Sequence, residues 1–495
     1  MTRHGKIEGN ALAVLLAGAL TAAGQAPVTV DTKQVVVERF LGPGVQWDPY
    51  DYQPSPEAWK TTLARMDFMH PGFLRVMLNA SSYLRGFDAA GNPRYVWSEG
   101  ESGMERLSSL FGILDYAQSR NIPVLIGEWS PARGLNTGSG GRSGAGDAHW
   151  AGVHADFLNY LHTDKKYTVI THIIFMNEPN GNWMWPGSNV DYTAWAQGIR
   201  NLHQELDSRG MGWVKIAGPD NSGNWDWLDR CATEMRQDFG AWEMHWYAKD
   251  AEVTSGAIEK LLTEKRAMLL KTDPLAETKP RFLGESGIIE GKTNGDQQPR
   301  VRDFSYGVLM ADYVAQVARA GWAGAVAWDL DDAMHINTGG HVNPPAERTL
   351  KLWGFWNSQG AAMGHPEEEA VRPWFYTWSL MSRLFPAGSR IVATRNDAQN
   401  PGVRTLAGTR GEGSSREFSV MVVNDSDVAV TTRILIPGSE RRAVEMYHYF
   451  DRDRPADANG FPVAAKTLPL TDLAHGVTVE LPSRGVVFLA TVGTR

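Results

Sequence analysis

Between residues 40 and 385, short apolar runs alternate with stretches in which apolar residues recur every three or four positions. The runs predict strands at 41–47, 73–78, 124–129, 173–177, 214–218, 242–247, 282–285 and 325–329. Several are continuously apolar, the pattern of strands buried on both faces. The intervening helices have readable ends. Ser55-Pro56 supplies an N-cap and a proline at the first helical position. Asp191 opens a helix whose Tyr192, Trp195, Ile199, Leu202 and Leu206 form one stripe, and Gly210 closes it. A third helix, at 104–119, carries Leu107, Leu110, Phe111, Leu114 and Ala117 at the same period. Eight alternations of strand and helix predict an α/β fold, a closed (β/α)8 TIM barrel. A doubly wound open sheet is the competitor, but Gly42-Pro43-Gly44 is not followed by the helix-opening glycines of that fold.

After Phe385 the pattern shifts to short β-rich runs at 419–423, 431–436, 444–450, 478–481 and 486–492. These predict an appended C-terminal antiparallel β-sandwich. The segment 28–38 is also strand-like, and the expectation is an edge strand added to that sandwich. The division expected is therefore 1–26 leader, 27–39 N-terminal strand, 40–385 barrel and 386–495 sandwich. Residues 134–147 form a Gly/Ser-rich loop after the third strand.

Composition narrows the class. With 42% hydrophobic and 21% charged residues the 495-residue chain is ordinary globular protein. A net charge of −8 argues against a nucleic-acid partner, and one cysteine, Cys231, excludes an intrachain disulfide and a multi-thiolate zinc site. Residues 1–26 follow the order of a secretory signal peptide: Arg3 and Lys6, an apolar run at 11–23, then Gly24 and Ala26. Export of a chain with a lone cysteine points to a bacterial periplasm or medium. Beyond that leader no stretch approaches the roughly 20 apolar residues of a membrane span. The 19 tryptophans exceed what packing alone calls for, and part of them suits stacking on sugar faces.

Polar residues that end apolar runs mark a barrel's functional face. Two glutamates do so: Glu178 in Asn177-Glu178-Pro179 after the fourth strand, and Glu285 in Gly284-Glu285-Ser286 on the seventh. Two carboxylates across one mouth are the minimal equipment for glycoside hydrolysis, one kept protonated and the other ionised. Arg75 ends the second strand, His245-Trp246-Tyr247 the sixth and Trp328 the eighth.

This conjunction resembles clan A of the glycoside hydrolases, the retaining "4/7" barrels. Together with the segment 40–48, Glu128-Trp129-Ser130-Pro131 and the sandwich, it looks most like families 30 and 39, with family 5 more distant. The resemblance implies Glu178 as acid/base and Glu285 as nucleophile. It further implies Asn177 on the sugar 2-hydroxyl, Arg75 and Tyr247 orienting Glu285, and His245 and Trp328 lining the subsite at the cleaved bond. It leads to an expected carboxyl spacing of about 5–5.5 Å. Gly284-Glu285-Ser286 departs from the Thr-Glu usual in family 30, and residues 328–332 fit neither pattern, which leaves the sugar open.

Trp47, Trp129 and Trp183 are further substrate-binding candidates, as are Trp185, Trp225, Trp227 and Trp353; Trp183, Trp185, Trp225 and Trp227 are expected in the loops after the fourth and fifth strands. Glu128 fits equally a substrate ligand or a partner of Arg133. His335 and His341 lie in a possible lid at 333–345 but lack the acid spacing of metal ligands. No G-x-S-x-G, phosphate-loop or H-E-x-x-H motif occurs, and Cys231 reads as a small buried hydrophobe. The expectation is an exported retaining β-glycosidase acting on an oligo- or polysaccharide, leaning to exo action, with no metal or organic cofactor. Its partner is carbohydrate, with no nucleic acid and no membrane after leader cleavage; the oligomeric state is open. A carbohydrate-binding pseudoenzyme and a transglycosylase are the alternatives.

Overall fold

The computed structural model describes residues 27–97, 107–131, 143–181, 190–335, 350–395 and 402–491. The leader at 1–26, most of the 134–147 loop, Arg133, Trp183, Trp185, His341 and most of the 333–345 segment lie outside the described residues.

Eight parallel strands close into a barrel: Gly42–Gln46, Leu74–Leu78, Val124–Glu128, Ile170–Ile174, Lys215–Ser222, Ala241–Ala248, Arg281–Ile288 and Gly324–Ala327. They are called the first to eighth barrel strands below. Closure joins the eighth to the first, with Gly324 opposite Gly42 and Ala327 opposite Val45. Each strand sends alternate residues to two cores. Phe73, Met77, Leu125, Ile174, Ala217, Ala241, Phe282 and Val326 fill the interior. Leu74, Val76, Val124, Ile126, Trp242 and Met244 belong to the outer core with the helices.

Two of the helices start where the sequence expects, and the expected start of the third, at 104, lies outside the described residues. Pro56–Met69 is capped by Ser55, whose hydroxyl accepts from Ala58 N at 3.2 Å. Tyr192–Ser208 is capped by Asp191 through Ala194 N at 3.0 Å, and Gly210 follows with φ 67°. The third covers Leu107–Arg120. Cys231 is buried on helix Trp225–Glu234.

Two barrel strands carry an extra residue. Pro219 pairs with Glu243 and Asn221 with Met244, so Asp220 is bulged out of register on the fifth strand, at φ 60°. Leu283 pairs with Met244 and Glu285 with His245, so Gly284 is the extra residue on the seventh. Strict alternation from Phe282 would turn Glu285 outward; the bulge places it beside inward-facing His245.

The C-terminal unit is a nine-stranded sheet curled over a second core that includes Val28, Val30, Val420, Val422, Ile434, Val479 and Leu489. The strands Arg390–Arg395, Val403–Arg410 and Lys466–Thr471 add to those expected. Val28–Val37 is not an edge strand. It pairs antiparallel with Arg390–Arg395 and parallel with Val430–Leu435, an internal position. Its Val28 and Val30 reach the second core, which an outermost position would have left half open.

The two units share packing. Helix Phe304–Arg319 is buried along nearly its whole length, and Tyr449 Oη donates to Phe304 O at 2.9 Å. Arg404 Nε lies 2.6 Å from Asp312 Oδ1, and Arg319 donates to Thr405 O at 2.9 Å. Leu406, Met421 and Phe488 of the sheet join the same apolar cluster as the barrel helices. Among the described residues no helix is long and apolar enough to cross a membrane.

Candidate active site

Arg75 is the hub of the barrel mouth. It points inward on the second strand between Phe73 and Met77 and is fully buried. Nη1 donates to Glu285 Oε1 at 2.6 Å and to Gln46 Oε1. Nη2 donates to Asn177 Oδ1 at 2.7 Å and to both Asp220 oxygens, at 3.1 and 3.2 Å. Burying a guanidinium is costly unless its donors are met, and here four strand ends meet those of Nη1 and Nη2.

Glu285 is further held by Tyr247 Oη, which donates to Oε2 at 2.5 Å. Burial pushes its carboxyl up from the ordinary range, opposed by the His245 and Arg75 cations and by the Tyr247 hydroxyl. Burial likewise raises the Tyr247 phenol well above its usual value, and the Glu285 charge adds to this. The phenol therefore stays a donor.

Glu178 follows the fourth strand with φ 39°, a left-handed conformation that a non-glycine residue adopts at a cost. Its backbone N donates to Asp220 Oδ2 at 3.1 Å, which fixes that turn. The Glu178 side chain, 13% exposed against 5% for Glu285, lies with Oε1 2.9 Å from His245 Nδ1. One oxygen of Glu178 and one of Glu285 lie within 4.8 Å of each other. His245 Nδ1 reaches both, Glu285 Oε2 being 3.5 Å away.

Beneath this pair lies a second layer that strand-end reading did not reach. His245 Nε2 is 3.1 Å from Asp220 Oδ1 and 3.4 Å from Glu243 Oε1, and both acids are buried. Burial opposes the charge on Asp220, but Arg75 and His245 outweigh it and hold that carboxyl well below the usual range. Glu243 goes the other way: burial pushes it well up, and the Asp220 charge adds to this. Burial also works against a charged His245, yet the charges of Glu285 and Asp220 raise it well above the usual imidazole value. The sets Glu178/His245/Glu285 and Asp220/Glu243/His245 have the donor types of a divalent-cation site. Arg75, 2.6 Å from Glu285 and 3.1 Å from Asp220, already stands where such a cation would neutralise charge.

Trp129 and Trp328 close one wall, with rings 6.0 Å apart at 86°. His335 stacks on Trp328 at 5.7 Å, and its Nε2 is 2.9 Å from Asp48 Oδ2. Asp48 also accepts from Met77 N at 2.6 Å and Gln46 Nε2 at 2.7 Å. Trp353 packs edge-on against Tyr247 at 5.4 Å. Glu128 is buried and accepts from Tyr83 Oη.

Of the residues expected at the site, Arg75, Asn177, Glu178, His245, Tyr247 and Glu285 converge through these contacts, and Trp129 and Trp328 stand together at the end of the barrel. Trp47 does not join them. Gln46 turns inward to Arg75, so by alternation Trp47 turns outward, where it is buried against Trp59 and Tyr116 at 5.4 and 5.6 Å. Trp225 and Trp227 are not loop residues but the first turn of helix Trp225–Glu234, packed on Trp246 and on Tyr192 and Trp195. Asp220, Glu243, Gln46 and Asp48 were missed; their only sequence signal is an acid or amide in or directly after an apolar run.

No family model matches the chain, and no curated protein matches its sequence. Solved structures do match. The catalytic domain of the family 30 xylanase C from Talaromyces cellulolyticus superposes with a TM-score of 0.63 at 14% identity, covering 94% of this chain and 99% of that one. The family 30 endoxylanase from Clostridium papyrosolvens C71 gives 0.61 at 13% identity, covering 94% and 100%. The family 39 β-xylosidase from Caulobacter crescentus gives 0.58 at 12% identity, covering 94% and 99%. The chain thus shares the barrel-and-sandwich fold of the two families its strand-end motifs resemble.

Proposed function

We propose that the protein is a retaining β-glycoside hydrolase that cleaves an oligo- or polysaccharide by double displacement. The observation that carries this is the unequal treatment of two facing glutamates. Glu285 is gripped by Arg75 and Tyr247, while Glu178, within 4.8 Å oxygen to oxygen, is more exposed and lies 2.9 Å from His245. An approach this close fits the short carboxyl spacing of retaining enzymes, in which one acid attacks directly. Glu285 attacks the anomeric carbon while Glu178 protonates the departing oxygen. Glu178 then takes a proton from the water that cleaves the glycosyl ester. In this reading Asn177, held by Arg75, bonds the sugar 2-hydroxyl and Trp328 and Trp129 flank the ring; the Arg75 contact and the ring pair support it.

The N-terminal order of charge, apolar run and small residues supports export, and the long segments after the third and eighth strands favour exo action. Xylans and aryl β-xylosides head the substrate panel, because a xylanase and a β-xylosidase share the fold. Glu285→Gly is expected to abolish hydrolysis of aryl β-glycosides. Glu178→Ala is expected to lose most activity and regain it with azide, yielding the β-glycosyl azide. Full activity in either variant would overturn the role given to that residue.

A further inference from the structure

We propose that Glu243 is a positioning residue: as a neutral acid bonded to Asp220, it pins Asp220 as the fixed counter-charge that keeps His245 an imidazolium throughout the reaction proposed above. The geometry is specific. Asp220 Oδ1 and Oδ2 already accept from Arg75 Nη2, His245 Nε2 and Glu178 N. Glu243, two residues before His245 on the same strand face, brings one oxygen within 4.8 Å of an Asp220 oxygen and 3.4 Å from His245 Nε2, and two buried carboxyls that crowd one ring bond to each other only when they share a proton.

The fold makes room for this acid. A Cβ on Gly284 would lie 1.9 Å from Glu243 Oε1, so the bulged glycine of the seventh strand opens the space that the carboxyl fills. Glu243 is completely buried, a position that an acid without a task would lose to an apolar residue.

Among the described residues, the charged and titratable groups facing this cluster are Arg75, Glu178, Asp220, Glu243, His245, Tyr247 and Glu285, with Asp48 acting on Arg75 and Asp296 on Tyr247 from outside it. In the resting state Arg75 and His245 balance Asp220 and Glu285, with Glu178 and Glu243 protonated. In the glycosyl-enzyme, Glu285 is a neutral ester and Glu178, having given its proton to the leaving oxygen, is the anion. The sum is zero again. Water then adds at the anomeric carbon, its proton returns to Glu178, and Glu285 leaves as a carboxylate. One imidazolium Nδ1–H, 2.9 Å from Glu178 and 3.5 Å from Glu285, serves both anions. A neutral His245 would leave a buried negative charge uncompensated in each half.

The test reads charge and turnover separately, on the full chain with histidine labelled in the ring. His245 signals, assigned by His245→Gln, are expected to stay imidazolium from about pH 5 to 8 in the wild type and in Glu243→Gln, whose amide still donates to Asp220. Asp220→Asn is expected to convert His245 to the neutral ring within that range. Glu243→Gln is expected to keep kcat within about threefold with an unchanged pH profile, while Glu243→Leu loses about 100-fold in kcat with little change in KM. A neutral wild-type His245 at pH 6, or a Gln variant as impaired as the Leu variant, would overturn the proposal, the latter by making Glu243 a proton carrier. A charged His245 in a wild-type protein inactive on all β-glycosides would remove the proposed function and leave the charge arrangement standing.

Discussion

His335 shows how a single contact can tie stability to pH. Burial between aromatic rings works against its charge, but the hydrogen bond and charge of Asp48, with Asp51 and Asp329, raise it to about 9. Unfolded, it titrates near 6.5. A raised folded value means the stabilisation is complete below about pH 6.5 and lost as pH rises through about 9, on the order of 3 kcal/mol in all. The melting temperature of the wild type should fall across that window, while His335→Gln should be flat there and less stable at pH 6. Equal falls in both proteins would remove His335 from the account. Which residues a sequence discloses follows from similar local reasons. Glu178 and Glu285 were legible because a charge that ends a buried apolar run needs a task. Trp47 misled because an aromatic at a strand end can face either core, and only the contact of Gln46 with Arg75 settles the parity. Glu243 was silent because one acid inside Ala-Trp-Glu-Met-His carries no mark of which face it occupies.

At the scale of elements, all eight barrel strands and the N-caps Ser55 and Asp191 were readable, because apolar period and capping chemistry are local. Bulges were not, since an extra residue is defined only against the neighbouring strand. Both bulges flank the sixth strand, one bringing Asp220 and the other Glu285 to His245. Gly284→Ala tests the seventh-strand bulge. Its methyl would meet Glu243 Oε1 at 1.9 Å and Cδ at 2.5 Å, so the variant should lose about 1–3 kcal/mol of stability. Adding Glu243→Ala should restore part of that loss. Strict additivity in the double variant would show that the two residues do not share one space.

At the scale of the whole molecule, barrel and sheet should unfold together. Helix Phe304–Arg319 is sealed by Tyr449, Arg404 and Thr405, and one apolar cluster runs through both units. A single calorimetric transition is expected. Deleting residues 28–37 should lower its midpoint and promote aggregation, whereas two separate transitions in the intact chain would contradict a shared core. The sequence disclosed the sandwich but not the place of this strand, because pairing between segments so far apart leaves no local trace.

That strand has a consequence for biogenesis. Residues 28–37 are made before the barrel yet form an inner strand of the sheet that follows it, so two rows of unsatisfied amides must wait until synthesis has run through the barrel and on to residue 435. Assembly order thus reverses ribosomal order, and whatever escorts the nascent polypeptide has to shield that waiting ribbon until its neighbours arrive.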